Sequence, residues 1–124
     1  MILVDTSVWI DHLHHAEAEL VDLLDRSLVV QHSVVIGELS LGSLRSRADV
    51  LRLLANLPVT SAATHDEVMY LVEQHRLFGR GLSLVDAHLL ASALVTPGTG
   101  IWTRDKRLHA AAARLKLAYD PLAR

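Results

Sequence analysis

The chain of 124 residues contains no cysteine. That absence excludes disulfide staples, thiolate metal sites and cysteine nucleophiles. Aromatic side chains are scarce, at 4% of a chain that is 51% hydrophobic, so the core must be built mainly from Leu, Val, Ala and Ile. No apolar run approaches the roughly 20 residues of a membrane span, and the start of the chain shows neither a basic leader nor a long apolar stretch. A soluble, cytoplasmic protein is the expectation. An excess of positive charge is also missing: the formal net charge is -2. A general nucleic-acid coating protein would be basic, so any nucleic-acid contact must come from local patches. Ten of the twelve basic residues are Arg, a type that suits bidentate phosphate binding and surface ion pairs alike. The length suits one compact domain over residues 1–124.

What is present begins with MILVDTSVWID. Ile2, Leu3 and Val4 form a short apolar run without polar alternation, as in a strand buried on both faces of a parallel sheet. The run stops at Asp5, and Thr6 and Ser7 can cap a helix from Val8 to His14. Asp5 is therefore expected at the carboxyl end of a central strand, where open α/β sheets bind ligands. Read alone, it serves equally well as a turn or cap residue. Helices are expected over Ala16 to Arg26, Ser33 to Leu41, Arg45 to Leu54, after the capping box Thr64 to Glu67, over Ser83 to Val95 and over Leu108 to Leu115. Leu28 to Val30 and Ile101 to Thr103 read as strands, and Leu117 to Tyr119 as a candidate edge strand. The alternation implies α/β architecture with a parallel sheet and right-handed crossovers.

Asp5, Glu38, Asp86 and Asp105 stand apart from the other acids. Asp5 and Asp105 lie at or just beyond the ends of apolar strands, and Glu38 and Asp86 are read as lying early in apolar helices. A lone buried carboxylate is costly unless it is paired or bound to a metal. If the four converge, their repulsion calls for a divalent cation with all-oxygen ligation, Mg²⁺ or Mn²⁺. Each also has a structural alternative. Asp86 can be the capping-box partner of Ser83, Glu38 can pair with an Arg, and Asp105 can cap the last helix.

The pieces VDTSVWID, IGELSLG, LSLVDAHLLASAL and IWTRDKRL, in this order and spacing, resemble the PIN domain. In particular the chain is similar to VapC-type toxins of bacterial toxin–antitoxin pairs, over essentially its whole length. The resemblance implies a PIN-like three-layer α/β/α sandwich with a short central parallel sheet. It implies that Asp5, Glu38, Asp86 and Asp105 form an acidic quartet holding one or two Mg²⁺ ions, with Mn²⁺ able to substitute. Asp5 and Asp86 would be the direct ligands, and Thr6 and Thr103 supporting hydroxyls. The implied reaction is endonucleolytic hydrolysis of RNA phosphodiesters by metal-activated water, leaving a 5′ phosphate and a 3′ hydroxyl, with Glu38 orienting or deprotonating the water. The implied partners are a VapB-type antitoxin, laid across the acidic groove in a heterocomplex, and a second copy of the chain in a homodimer. As substrate, tRNA, ribosomal RNA and messenger stay open.

Arg80, Arg104, Lys106 and Arg107 fall near loops that should flank such a site and are candidates to receive the RNA backbone. The cluster His12, His14 and His15 has too few ligands in reach for zinc and reads as a solvated helix end. His88 reads as a buried, hydrogen-bonded histidine. Two rival functions remain. A receiver-like phosphotransfer domain also gathers acids at strand ends around Mg²⁺, but the helical position of Glu38 argues against it. A metal-stabilised, non-catalytic binding module is the other.

Overall fold

A computed structural model of the chain describes residues 1–123. Its three strands, β1 (Ile2–Val4), β2 (Val29–Val30) and β3 (Gly100–Trp102), form a parallel sheet in the order β2-β1-β3. Leu3 pairs with Val30 on one side and Ile101 on the other, and Val4 pairs with Trp102. Neighbouring side chains of a strand point to opposite faces. Leu3 and Val4, Val29 and Val30, and Ile101 and Trp102 are all buried, so helices cover the sheet on both faces. This is the three-layer arrangement that an uninterrupted apolar strand requires.

Helices α1 (Thr6–His14) and α2 (Ala18–Asp25) carry the chain from β1 to β2. Helices α3 (Ser33–Ser40), α4 (Arg47–Ala55), α5 (His65–Gln74) and α6 (Leu84–Val95) lie between β2 and β3. Helix α7 (Lys106–Arg114) follows β3, and a short 3₁₀ turn spans Pro121–Ala123. Because β1 has β2 on one side and β3 on the other, the carboxyl ends of β1 and β3 form a topological switch point, where such sheets open a crevice.

Local chemistry explains the elements that frame this crevice. α6 opens on a reciprocal capping box between Ser83 and Asp86, and Ala87, Leu89, Leu90, Ala91 and Ala93 behind it are buried. α7 buries Leu108, Ala111 and Ala112, at the spacing of one helix face, and exposes its basic side. Ala63 and Val68 pack on Ala87 and Ala91 where α5 meets α6. Among the described residues no helix is long and apolar enough to cross a membrane.

Several expectations need adjustment. α1 starts at Thr6, not Val8, because Asp5 itself is the cap, its side chain accepting from the Ser7 amide. Glu38 lies near the end of α3, not early in it, since that helix closes at Ser40. Residues Leu117 to Tyr119 contribute a single parallel bridge, Ala118 to Ile101, instead of a full strand. His88 is only partly buried; the fully buried histidine is His32, which caps α3.

Candidate functional site

The register of β1 on β3 decides the centre of the site. Both strands end at the same level, so Asp5 and Thr103 emerge side by side. The Asp5 amide donates to the Trp102 carbonyl at 2.9 Å. The Thr103 hydroxyl donates to Asp5 Oδ2 at 2.8 Å, and the Ser7 hydroxyl donates to the same oxygen at 2.7 Å. Each hydroxyl is in turn held by a backbone amide, Thr103 Oγ1 by Asp105 and Ser7 Oγ by Arg104, both at 3.0 Å. Asp5 is thus buried and clamped through one oxygen by groups that fix its orientation.

The other three acids follow the same rule. Asp86 Oδ2 accepts from the Ser83 amide at 3.0 Å. Asp105 Oδ1 accepts from the amides of Arg107 and Leu108 at 2.8 and 3.0 Å, capping α7. Glu38 Oε1 accepts from the Thr6 hydroxyl at 2.7 Å. The structural alternatives for Asp86 and Asp105 are therefore realised, and the one for Glu38 is met by a hydroxyl, not an Arg. Yet each carboxylate spends one oxygen on holding itself in place and keeps the second without a hydrogen bond to any described residue. None of the four forms an ion pair with a described residue, whereas Asp11, Glu17, Asp22 and Asp49 each do.

Electrostatics tie three of the acids together. Burial pushes the Asp86 carboxyl above its usual range, the Ser83 hydrogen bonds pull it back, and the charges of Asp5 and Asp105 add a further upward push. Glu38 joins the centre through Thr6, next to Asp5 in the chain. Among the described residues, however, no three His, Asp or Glu side chains are gathered into a ready-made cage for an ion. A small hard cation that keeps several waters and takes one or two carboxylates needs no such cage. The oxygen-only donor set fits the same chemistry.

The basic residues divide into two groups. Arg104 is occupied: its guanidinium reaches Asp11 at 2.5 Å and Glu17 at 2.8 Å and lies 5.9 Å from the centre of the Trp102 ring. Arg80, Lys106 and Arg107 instead line a cleft of about 440 Å³ with Gly79, Ala110 and Ala111. No ion pair occupies these three among the described residues. Gly81 belongs to this arrangement: its φ is +76°, and a Cβ there would lie 2.7 Å from the Arg107 side chain. A second cleft, of about 480 Å³, runs beside Glu38 between α1 and the loop after α3, lined by Ile10, Leu13, Leu39 and Leu44 among others.

Two residues of this region escape a reading by composition. Ser7 carries more of the Asp5 clamp than Thr6, and the Asp-x-Ser spacing is the signal that points to it. His32 precedes a Ser that looks like the natural cap of α3, and only the structure shows the imidazole in that role. His12 accepts from the Glu17 amide and lies edge-on to Trp9, so its cluster is a helix end and holds no gathered ligands.

Comparison with known proteins identifies the family. The PIN domain family matches residues 2–114, which include every residue of the strand-end site. Ribonuclease VapC32 of Mycobacterium tuberculosis, from strains CDC 1551 / Oshkosh and H37Rv, is 55% identical over 118 residues, covering 95% of this chain and 95% of that protein. The chain belongs to the PIN domain family, among its VapC-type ribonucleases.

Proposed function

We propose that this chain is a metal-dependent endoribonuclease, the toxin of a type II toxin–antitoxin pair, and that it uses Mg²⁺, with Mn²⁺ able to substitute. The observation that carries the reading is the set of uncompensated carboxylates at the β1/β3 switch point, each anchored by one oxygen with the other left over. The relatives' name, ribonuclease, supplies the reaction class.

In this reading Asp5 and Asp86 hold the cation directly, and Asp105 and Glu38 act across water. When bound, the cation supplies acidification of the attacking water and neutralisation of charge building on the phosphate. The chain does the rest. Ser7 and Thr103 keep Asp5 aimed, because their hydroxyls both donate to Oδ2 and leave Oδ1 facing the site. Glu38, exposed and oriented by Thr6, is placed to accept a proton from water. Arg80, Lys106 and Arg107 receive backbone phosphates. Arg104 is less suited to that task, since two carboxylates already claim it.

The antitoxin is proposed to lie in the cleft between α1 and the loop after α3. Ile10 and Leu13 are exposed at its mouth, and Glu38 on its wall suits an arriving cation. The free chain is proposed to form a homodimer, which light scattering at micromolar concentration would read as twice the chain mass. The decisive test is incubation of the purified chain with RNA and Mg²⁺ or Mn²⁺, with and without chelator. Metal-dependent internal cuts bearing 5′ phosphates, lost in folded Asp5→Asn, are expected. Metal binding without cleavage of tRNA, ribosomal RNA or messenger would overturn the enzyme in favour of a binding module.

A further inference from the structure

Histidine is not among the favoured helix caps, where Ser, Thr, Asp and Asn lead. His32 nevertheless caps α3, although Ser33 is the next residue. Its Nδ1 accepts from the Val34 amide at 3.1 Å, and its Nε2 lies 2.9 Å from Ser92 Oγ in α6. The ring is 3% exposed and Ser92 is 0% exposed. Because Nδ1 is an acceptor, the proton of the neutral imidazole sits on Nε2 and is donated to Ser92. One side chain thus closes the first turn of α3 and fastens that turn to α6. No other hydrogen bond among the described residues joins these two helices. A Ser or Asn in its place could cap α3 but could not reach α6.

The two fastened helices carry two of the site's four acids. Glu38 lies six residues after His32, and Asp86 six residues before Ser92. At the rise of an α-helix each acid is about 9 Å from the tie. Neither acid has an ion-pair partner among the described residues, and a cation site demands placement to within about 0.5 Å.

We infer that His32 is a positioning residue: the buried His32–Ser92 tie sets the spacing of the helices that bear Glu38 and Asp86, and through it the affinity of the site for its divalent cation. The inference rests on the acid-site reading above. Side chains that orient metal ligands typically contribute about 10- to 100-fold in metal affinity. A tie acting through two helices falls at the low end, about tenfold.

The test separates cap from tie. His32→Asn keeps an acceptor for the Val34 amide but cannot reach Ser92. Ser92→Ala removes the tie and leaves the cap, and alanine is the best helix former for that position. His32→Gln places a donor where Nε2 stood. With RNA absent, Mn²⁺ binding followed by calorimetry should weaken about tenfold in both His32→Asn and Ser92→Ala, and the double variant should add nothing more. His32→Gln should recover most of the loss. RNA affinity measured in chelator should not change. Folded Ser92→Ala binding Mn²⁺ as the wild type does would overturn the inference, whatever happens to His32→Asn. Asp5→Asn and Asp86→Asn serve as the separate control. If they too leave Mn²⁺ binding intact, the acid-site reading itself has failed; if they abolish it while Ser92→Ala does not, only the tie has.

Discussion

Two groups of acids, one bound to Arg104 and one at the strand ends, are treated in opposite ways. Asp11 and Glu17, on the α1 side, share its guanidinium. Asp5 and Asp105, at the strand ends, receive only hydroxyls and backbone amides. The first group is compensated within the chain, and its members are ordinary surface pairs of small energetic weight. The second is oriented but not compensated. Neutral donors stabilise a carboxylate without cancelling its charge, so the field at the end of β1 stays negative.

The contrast is broken most severely at Asp5. Asp5→Asn preserves shape and an acceptor for Thr103 while deleting the charge. RNA cleavage should fall by on the order of 10²–10³-fold, the scale seen when one preorganised charge-stabilising group is lost, while circular dichroism stays native. Asp11→Asn, the control from the compensated group, should leave cleavage close to the wild-type rate. Thr103→Val comes next. It strips one donor from Asp5 and the acceptor from the Asp105 amide, so stability should drop by about 1–3 kcal/mol in urea unfolding. Cleavage should slow about tenfold, as for loss of a group that orients a metal ligand.

The basic side sharpens the same comparison. Lys106→Ala and Arg107→Ala should each lower the salt slope of RNA binding by about one. Arg104→Ala should leave that slope unchanged, because its charge is already spent on Asp11 and Glu17. A loss of slope there would move Arg104 into the RNA-binding group.

Smaller effects follow from titration. Asp86 is raised mainly by burial, so its ionised form costs stability that a neutral isostere avoids. In the absence of divalent ions Asp86→Asn should raise the melting midpoint by about 1–3 °C while losing activity, the trade expected of a functional group. His32 is lowered by burial first and by the neighbouring charge of His88 second. A histidine held neutral in the fold contributes stability that is complete above its unfolded pKa of about 6.5 and is lost as pH falls below that toward the folded value. Urea unfolding across that interval should show a positive slope of stability with pH, flattened in His32→Asn.

Much of the fold could be read from the chain because it rests on local rules. The apolar runs at Ile2–Val4 and Ile101–Thr103, the capping boxes at Thr64 and Ser83, and the turns between them each announce themselves within a few residues, the second strand lying one residue earlier in the structure, at Gly100–Trp102. The same holds for Asp5, an acid that ends an apolar strand. Glu38 and Asp86 were harder to weigh, since an acid in an apolar helix can be a ligand, a cap or an ion-pair partner. In the structure Asp86 uses one oxygen in the capping box with Ser83 and Glu38 uses one to accept from Thr6, and the second oxygen of each makes no hydrogen bond to a described residue. Ser7 is marked only by its spacing from Asp5, and His32 by nothing local. Their hydrogen-bonding networks reach residues 96 and 60 positions away, at Thr103 and Ser92 respectively.

Taken by itself, the amino-acid sequence determined the element types and the buried parallel sheet, because hydrophobic periodicity and helix capping act over short separations, and it singled out Asp5, Glu38, Asp86 and Asp105 as candidates. The tertiary structure alone decided how those acids stand toward one another. It set Asp5 beside Thr103 through strand register, assigned Arg104 to Asp11 and Glu17, and tied α3 to α6 through His32. Such pairings are governed by which strand ends and helix faces the packed core brings together, and no local pattern encodes them.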